Sequence, residues 1–502
     1  MSATYATKVS PAALSADFDE TAGLDPRRWR ALPVILTGSF LAFLDFFIVN
    51  IALPAMRADL RASPAQLQFI VAAYGIGFGA SLITGGRLGD IFGRRRVFLI
   101  GISGFTITSA LCGLSPTPET LIASRVAQAI CAATVTPQVL AIIRVEFATS
   151  ERPIAIGLYG ASMGLASITA QLLGGLLVSL NLFGWSWRLI FLINIPIGLI
   201  AIALVPRMMR ESRGSNRATL DLVGVALASF GLFLLIYPIV EGRESGWPAW
   251  SFAMLATMVP VLVGFALYER QVIRRGRTPL IALHLFRIGA LRIGLVVSVV
   301  FFSTAGVFFV VLTVFLQAGL GLSAFRAGLM FLPFAIGFSA SSTVSGPIAN
   351  RIGPLIINFG TFLMALGLLG IIALVRISTT AAGSGAVNLQ LLVPIFFIYG
   401  LGQGLAQPAL INTVISGAGV TGEDAGSAVG LFLTTAQSVI ALGVAAIGDV
   451  FFSWLSETPT MAAYRNALTA SLACNFVLMV ATFFLALLLP ARVAARRCSA
   501  RG

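Results

Sequence analysis

Charge is scarce in this 502-residue sequence: 10% of its residues are Asp, Glu, Lys or Arg, against roughly 25% in soluble domains. Histidine occurs once, as His284 in a loop, and lysine once, as Lys8. The four cysteines, Cys112, Cys131, Cys474 and Cys498, have no CxxC or other metal-type spacing, so neither a disulfide framework nor a zinc site is indicated. These shortages leave little for metal or nucleophile chemistry, and the sequence predicts no enzyme, no metal and no cofactor. A GxxxxGK[ST] phosphate loop is absent as well, which argues against direct use of ATP.

What is present is hydrophobic: 58% of the residues, with a mean hydropathy of +0.95. A chain this apolar leaves most of its side chains facing outward only in a bilayer. Runs of about 20 mostly apolar residues fall near 31 to 54, 66 to 86, 97 to 115, 121 to 143, 154 to 179, 187 to 206, 220 to 240, 250 to 268, 293 to 318, 327 to 348, 355 to 375, 389 to 415, 427 to 453 and 466 to 490. The first run is too long for the 7 to 15 residues of a signal-peptide core and reads as a retained span. The Arg27-Arg28 pair before it fits a positive flank better than a twin-arginine signal.

The formal net charge of +14 would raise nucleic-acid binding in a soluble protein. Here the basic residues cluster between apolar runs. About 25 lie in the tails and the loops sharing their side, against about 7 in the opposite loops, so both termini are expected in the cytoplasm. The expected partners are a bilayer, a small molecule and protons, with no nucleic acid and no obligate protein partner. Between Pro279 and Arg287 a short apolar stretch reads as a helix lying in the membrane interface.

An internal repeat organises the chain. Gly86-Arg-Leu-Gly-Asp-Ile-Phe-Gly93, leaving the second span, recurs as Gly346-Pro-Ile-Ala-Asn-Arg-Ile-Gly353, leaving the tenth. Two six-span units would place the copies six spans apart; their offset of eight predicts a two-helix insert. The expected organisation is a tail over 1–30, a six-helix bundle over 31–208, the insert over 209–270, a basic loop over 271–292, a second bundle over 293–490 and a tail over 491–502.

These residues resemble the major facilitator superfamily, and within it the fourteen-span drug:proton antiporter branch. Gly86-x-Leu88-x-Asp90-x-x-Gly93-Arg94-Arg95 is similar to the superfamily signature between spans two and three. Leu44-Asp45-Phe-Phe-Ile-Val-Asn50-Ile-Ala-Leu-Pro54 resembles the branch's first-helix motif, and Arg125-x-x-Gln128 its fourth-span motif with a buried arginine. Trp187-Arg188 through Pro196, Asp221-x-x-Gly224, Gln317 through Pro333 and Gly402-Gln403-Gly404 with Pro408 are similar to further stretches of that branch. The pattern departs at Phe47, where threonine is usual, at Ala129, where glycine is, and at Ala170-Gln171, which replace Gly-Pro of the antiporter motif. The resemblance implies an all-α membrane protein in which two six-helix bundles with a two-helix insert alternate access to a midplane site. It further implies proton-coupled export of a hydrophobic or amphipathic small molecule across the cytoplasmic membrane. A facilitator or importer of one solute is the rival reading, with a non-transporting sensor behind it.

Individual residues sharpen this. A carboxylate at mid-span costs about 2.5 to 3.5 kcal/mol on insertion scales, so Asp45 needs a compensating partner. It is either a proton carrier or a helix-packing acceptor. Arg125 inside the fourth run cannot readily lose its proton and either switches between Asp45 and other acceptors or forms a fixed pair with it. Gly86, Asp90, Gly93, Arg94 and Arg95 are expected to form a cytoplasmic gating clasp. Asn50, Gln128, Gln171, Asn194, Gln317, Gln403, Asn412 and Gln437 are amides available to a pathway or to helix packing. Gly160, Gly164, Gly174 and Gly175 would let the fifth span approach a neighbour closely.

Overall fold

A computed structural model describes residues 26–148, 151–213, 221–275, 279, 287–380, 388–416, 425–455 and 459–489. His284, Cys498 and most of the stretch expected to lie in the interface fall outside these residues. The described residues form fourteen helices long and apolar enough to cross a membrane. We number them α1 (Arg28–Leu60), α2 (Pro64–Phe92), α3 (Arg94–Gly113), α4 (Pro118–Glu146), α5 (Arg152–Leu180), α6 (Ser186–Met208), α7 (Leu222–Glu244), α8 (Ala249–Arg274), α9 (Gly289–Gly319), α10 (Ala324–Ala349), α11 (Leu355–Thr380), α12 (Leu389–Ser416), α13 (Ala425–Phe452) and α14 (Met461–Ala486). The chain therefore begins and ends at one face of the bundle, here the terminal face.

Local chemistry sets the helix starts. Ser63 and Thr117 each accept the backbone N–H three residues on, while Gln66 and Thr120 bond back to the cap backbone, with proline as the first helical residue in both cases. Such reciprocal capping satisfies the orphan N–H groups of a first turn. Ser323 caps α10 and Thr460 caps α14 by the same acceptor chemistry. Gly93 and Gly353, the last residues of the two repeat copies, both adopt positive φ, 103° and 63°. That conformation favours glycine and lets each chain reverse at the terminal face.

Packing reproduces the repeat. In the first bundle α2 packs on α4, α3 on α4 and α6, and α1 on α5; in the second α10 packs on α12, α11 on α12 and α14, and α9 on α13. Each of these pairs maps onto its partner by an offset of eight helices. The bundles meet along two seams, α2 with α13 and α5 with α10. The insert pair α7–α8 rests on only one of them, because α7 contacts both α2 and α13.

The seams close toward the face opposite the termini. There Gln317 Nε2 donates to the Ile51 carbonyl at 2.7 Å, and Phe325 N donates to Ser179 Oγ at 3.0 Å. A Cβ on Gly175 would lie 2.9 Å from Phe325 Cα. The α2–α13 seam stays in contact as far as mid-span, where Thr434 Oγ1 donates to the Gly79 carbonyl at 2.9 Å. Nearer the terminal face the α5 seam opens: a Cβ on Gly164 would lie 3.4 Å from Ser339 Oγ, while nothing lies within 4 Å of a Cβ at Gly160 or Gly157. The close approach expected at Gly160 is thus not made, because α5 and α10 have already diverged there. Gly174 packs against Ile48 and Ile51 of α1, within its own bundle.

Candidate functional site

Five helices of the first bundle meet around one ion pair. Asp45 on α1 and Gln128 on α4 are fully buried, as is Asn194 on α6, and Arg125 on α4 is 1% exposed. Arg125 Nη1 pairs with Asp45 Oδ2 and also donates to Gln128 Oε1 at 2.7 Å. Asp45 Oδ1 accepts Gln128 Nε2 at 2.9 Å and Asn194 Nδ2 at 3.0 Å. Ser109 Oγ on α3 lies 2.7 Å from Gln128 Nε2. The Arg125 Nε–H reaches the Ile70 carbonyl on α2 at 3.3 Å, and the guanidinium stacks 4.3 Å from the Tyr74 ring centroid.

This arrangement answers the cost of burying charge. An ion pair at such depth is tolerable only with its remaining donors and acceptors engaged, and Asp45 here accepts from three side chains. The spacing Arg125-x-x-Gln128 places both side chains on one face of α4, so one helix supplies two of those donors. Tyr74, held by its hydroxyl on the Ala42 carbonyl at 3.0 Å, presents an aromatic face to the cation. Ser109 and Tyr74 were not singled out from the sequence, since a lone Ser or Tyr in an apolar run has no distinguishing pattern.

Beyond Tyr74 the lining of the bundle interface is aromatic. Tyr74 stacks on Phe78 and contacts Phe46, each 6.0 Å between centroids; a small cavity there is lined by Ala42, Phe43, Phe46, Tyr74, Phe78 and Gln437. Phe47 crosses the interface to Phe309 at 5.6 Å, and Phe309 continues to Phe331 and Phe334. Phe47 thus replaces the usual threonine with a ring that touches the second bundle. Ala129, in place of glycine, has its bulk accommodated by Gly77 of α2, where an added Cβ would come within 3.1 Å.

The remaining amides separate. Gln171 is 3% exposed and neither of its polar side-chain atoms has a partner among the described residues. Asn50 Nδ2 bonds the Phe47 carbonyl at 3.2 Å within α1. Gln317 bridges the bundles as described, Gln403 donates to Gln407 at 3.3 Å, and Asn412 is exposed. Asp45, Arg125, Gln128 and Asn194 therefore form one site, Gln437 borders the interface cavity, and the others lie apart.

At the terminal face Arg94 Nη2 donates to Asp90 Oδ1 at 3.0 Å. Glu211, just beyond α6, accepts the Arg95 backbone N–H at 3.1 Å and lies 3.8 Å and 3.6 Å from the Arg95 and Arg96 guanidinium nitrogens. A Cβ on Gly93 would collide with the Glu211 carboxylate, so the glycine both turns the chain and admits the acid. A Cβ on Gly86 would lie 3.6 Å from Pro137 Cβ, in ordinary contact with α4. Sequence reasoning missed Glu211; a single acid within Met208-Met-Arg-Glu-Ser-Arg213 was the available signal.

Comparison with known proteins agrees with this architecture. Residues 35–444 match the family described as Major Facilitator Superfamily. The chain is 37% identical over 435 residues to a probable actinorhodin transporter of Streptomyces coelicolor, covering 86% of this chain and 74% of that protein. It is 35% identical to a puromycin resistance protein of Streptomyces alboniger, covering 85% and 82%, and 33% identical to a cephamycin export protein of Amycolatopsis lactamdurans, covering 86% of each. Among solved structures, a bacterial homolog of the human lysosomal transporter Spinster superposes with a TM-score of 0.65 at 17% identity, covering 92% of this chain and 98% of that one. The chain belongs to the Major Facilitator Superfamily, as a multi-pass membrane transporter of small molecules.

Proposed function

We propose that this protein exports a hydrophobic or amphipathic small molecule across the cytoplasmic membrane, driven by protons moving inward. The observation that carries the reading is a carboxylate buried at mid-span, with an arginine as its ion-pair partner, one ring away from an aromatic interface between two bundles. Relatives named for antibiotic export and resistance support the direction and the cargo class.

In this reading Asp45 is the proton carrier. Protonation removes the negative charge opposite Arg125, whose guanidinium keeps Gln128 Oε1, the Ile70 carbonyl and the Tyr74 and Phe191 rings. The cation is then undercompensated in a low-dielectric site, which favours whichever bundle arrangement offers it a new acceptor. Tyr74 touches both the cation and the aromatic lining between the bundles, so cargo held against that lining bears on the same equilibrium. A potential of about 100 mV supplies about 2.3 kcal/mol per charge moved, enough to bias alternation. The excess of arginine at the terminal face supports cytoplasmic termini by the positive-inside rule; in that reading the α5–α10 seam is the one that opens inward.

The test is internal pH in sealed vesicles holding purified protein under an imposed proton gradient, with lipophilic cations and neutral amphiphiles added. Substrate-dependent proton flux that disappears in Asp45→Asn is expected. Solute equilibration without proton movement would replace export by facilitation.

A further inference from the structure

A second cavity lies on the lipid side of α2, away from the Asp45 site. It measures about 540 Å³ and is bounded by α2, α4 and the insert helix α7, a volume within the range of drug-sized ligand sites. Its walls follow from helical spacing. On α7 Ser229, Phe233, Tyr237 and Glu241 recur every fourth residue and form one stripe; on α4 Glu119, Ile122, Val126 and Ile130 do the same at three- and four-residue steps. The small residues Ala73, Gly77, Ala80 and Ala123 leave the floor open.

Two features of the lining select a ligand. Tyr237 is the centre of an aromatic group, with Phe233 at 5.1 Å, Phe69 at 5.4 Å and Trp250 at 5.6 Å between centroids. Glu119 and Glu241 stand at the same end of the cavity, near the face opposite the termini, where Glu119 accepts Gln66 Nε2 at 2.6 Å. No basic side chain is among the lining residues. Ring faces and carboxylates both attract cations, strongly so where water is sparse. The lining offers no basic side chain to meet a lipid phosphate, and acyl chains have no need of ring faces.

We propose that this groove is a binding site for an amphipathic organic cation with a planar aromatic body, taken up from the membrane between the first bundle and the insert. It is separate from the interface cavity because α2 turns Tyr74 and Phe78 to one and Phe69, Ile76 and Ala80 to the other. The inference gives the insert a role and stands independently of transport direction and proton coupling.

The experiment uses the full chain in phospholipid nanodiscs, photolabelled with ethidium monoazide and mapped by peptide mass spectrometry. Label is expected on the segments 118–130 and 229–241. It should fall at least tenfold in the double variant Glu119→Gln/Glu241→Gln and in Ala123→Trp, which fills the groove from an exposed position of α4, and persist in Asp45→Asn. Variants with an unchanged thermal midpoint are compared. Label confined to segments 43–47 and 74–78, label insensitive to the double variant, or a co-purified phospholipid in the groove that ethidium does not displace would each overturn the proposal.

Discussion

The two bundles share a packing scheme and differ in what they bury. Among the described residues, the buried charged side chains Asp45, Arg125, Asp221 and Glu269 all belong to the first bundle or the insert. The second bundle buries hydroxyls, amides and rings instead: on α12, the repeat partner of α4, Tyr399 stacks on Phe308 at 4.0 Å. Duplicated helices thus provide matching hinges and seams, while charge is concentrated on one side. In the proposed cycle the half that holds Asp45 responds to protons while the other offers an apolar counter-surface.

The largest expected effect tests this asymmetry directly. Arg125→Ala removes the cationic partner of a buried carboxylate and should destabilise the protein by about 3 to 5 kcal/mol, the cost of breaking a buried pair. Arg125→Lys keeps the charge but cannot serve Asp45, Gln128 and the Ile70 carbonyl together; coupled transport should fall at least tenfold while the fold persists. In the second bundle the sign reverses. The Tyr399 hydroxyl is buried with no hydrogen-bond partner among the described residues, so Tyr399→Phe should stabilise by about 1 kcal/mol, since an unsatisfied buried hydroxyl is costly. Thermal unfolding in detergent measures the stability of all three variants and proton flux in sealed vesicles the transport of Arg125→Lys; a loss of stability in Tyr399→Phe would break the comparison.

Helix contact should be symmetric where charge is not. A Cβ on Gly85 would lie 2.9 Å from the Ala133 carbonyl carbon across α2–α4, and one on Gly400 would lie 2.8 Å from the Phe334 carbonyl carbon across α12–α10. Backbone cannot yield as a flexible side chain does, so Gly85→Ala and Gly400→Ala should each cost about 1 to 3 kcal/mol. Unequal costs, read from the same unfolding midpoints, would show that one bundle relaxes more easily.

The architecture was legible because the bilayer imposes long apolar runs, and because Gly93 and Gly353 mark the repeat with a backbone conformation that restricts residue choice. Asp45 and Arg125 were legible for a related reason: charge within an apolar run is conspicuous. What surrounds them was not. Ser109 and Tyr74 become partners only through the approach of α3 and α2 to α4. The emptiness around Gly160 depends on how far two helices diverge, which glycine spacing does not encode. The stripe from Ser229 to Glu241 reads as an ordinary span until α2 and α4 supply the other walls.

The smallest expected effect concerns a tie at the terminal face of the first bundle. Arg28 Nε and Nη2 each donate to a Glu151 carboxylate oxygen at 2.8 Å, joining the start of α1 to the start of α5. The fork of Arg28 holds the Glu151 carboxyl down to about 2, below its ordinary value near 4.5. A depressed carboxylate contributes stability above its unfolded pKa and loses it as pH falls through the folded one. The stability difference between the wild type and Glu151→Gln, small at neutral pH because the group is near solvent, should therefore stay constant down to pH 4.5 and disappear by about pH 2. Unfolding midpoints of both proteins across that range decide it. A difference that did not change between pH 7 and about pH 2 would mean that the contact gives Glu151 no protection from protonation, and that α1 and α5 are held at this face by the packing of Trp29 on Phe147 rather than by charge.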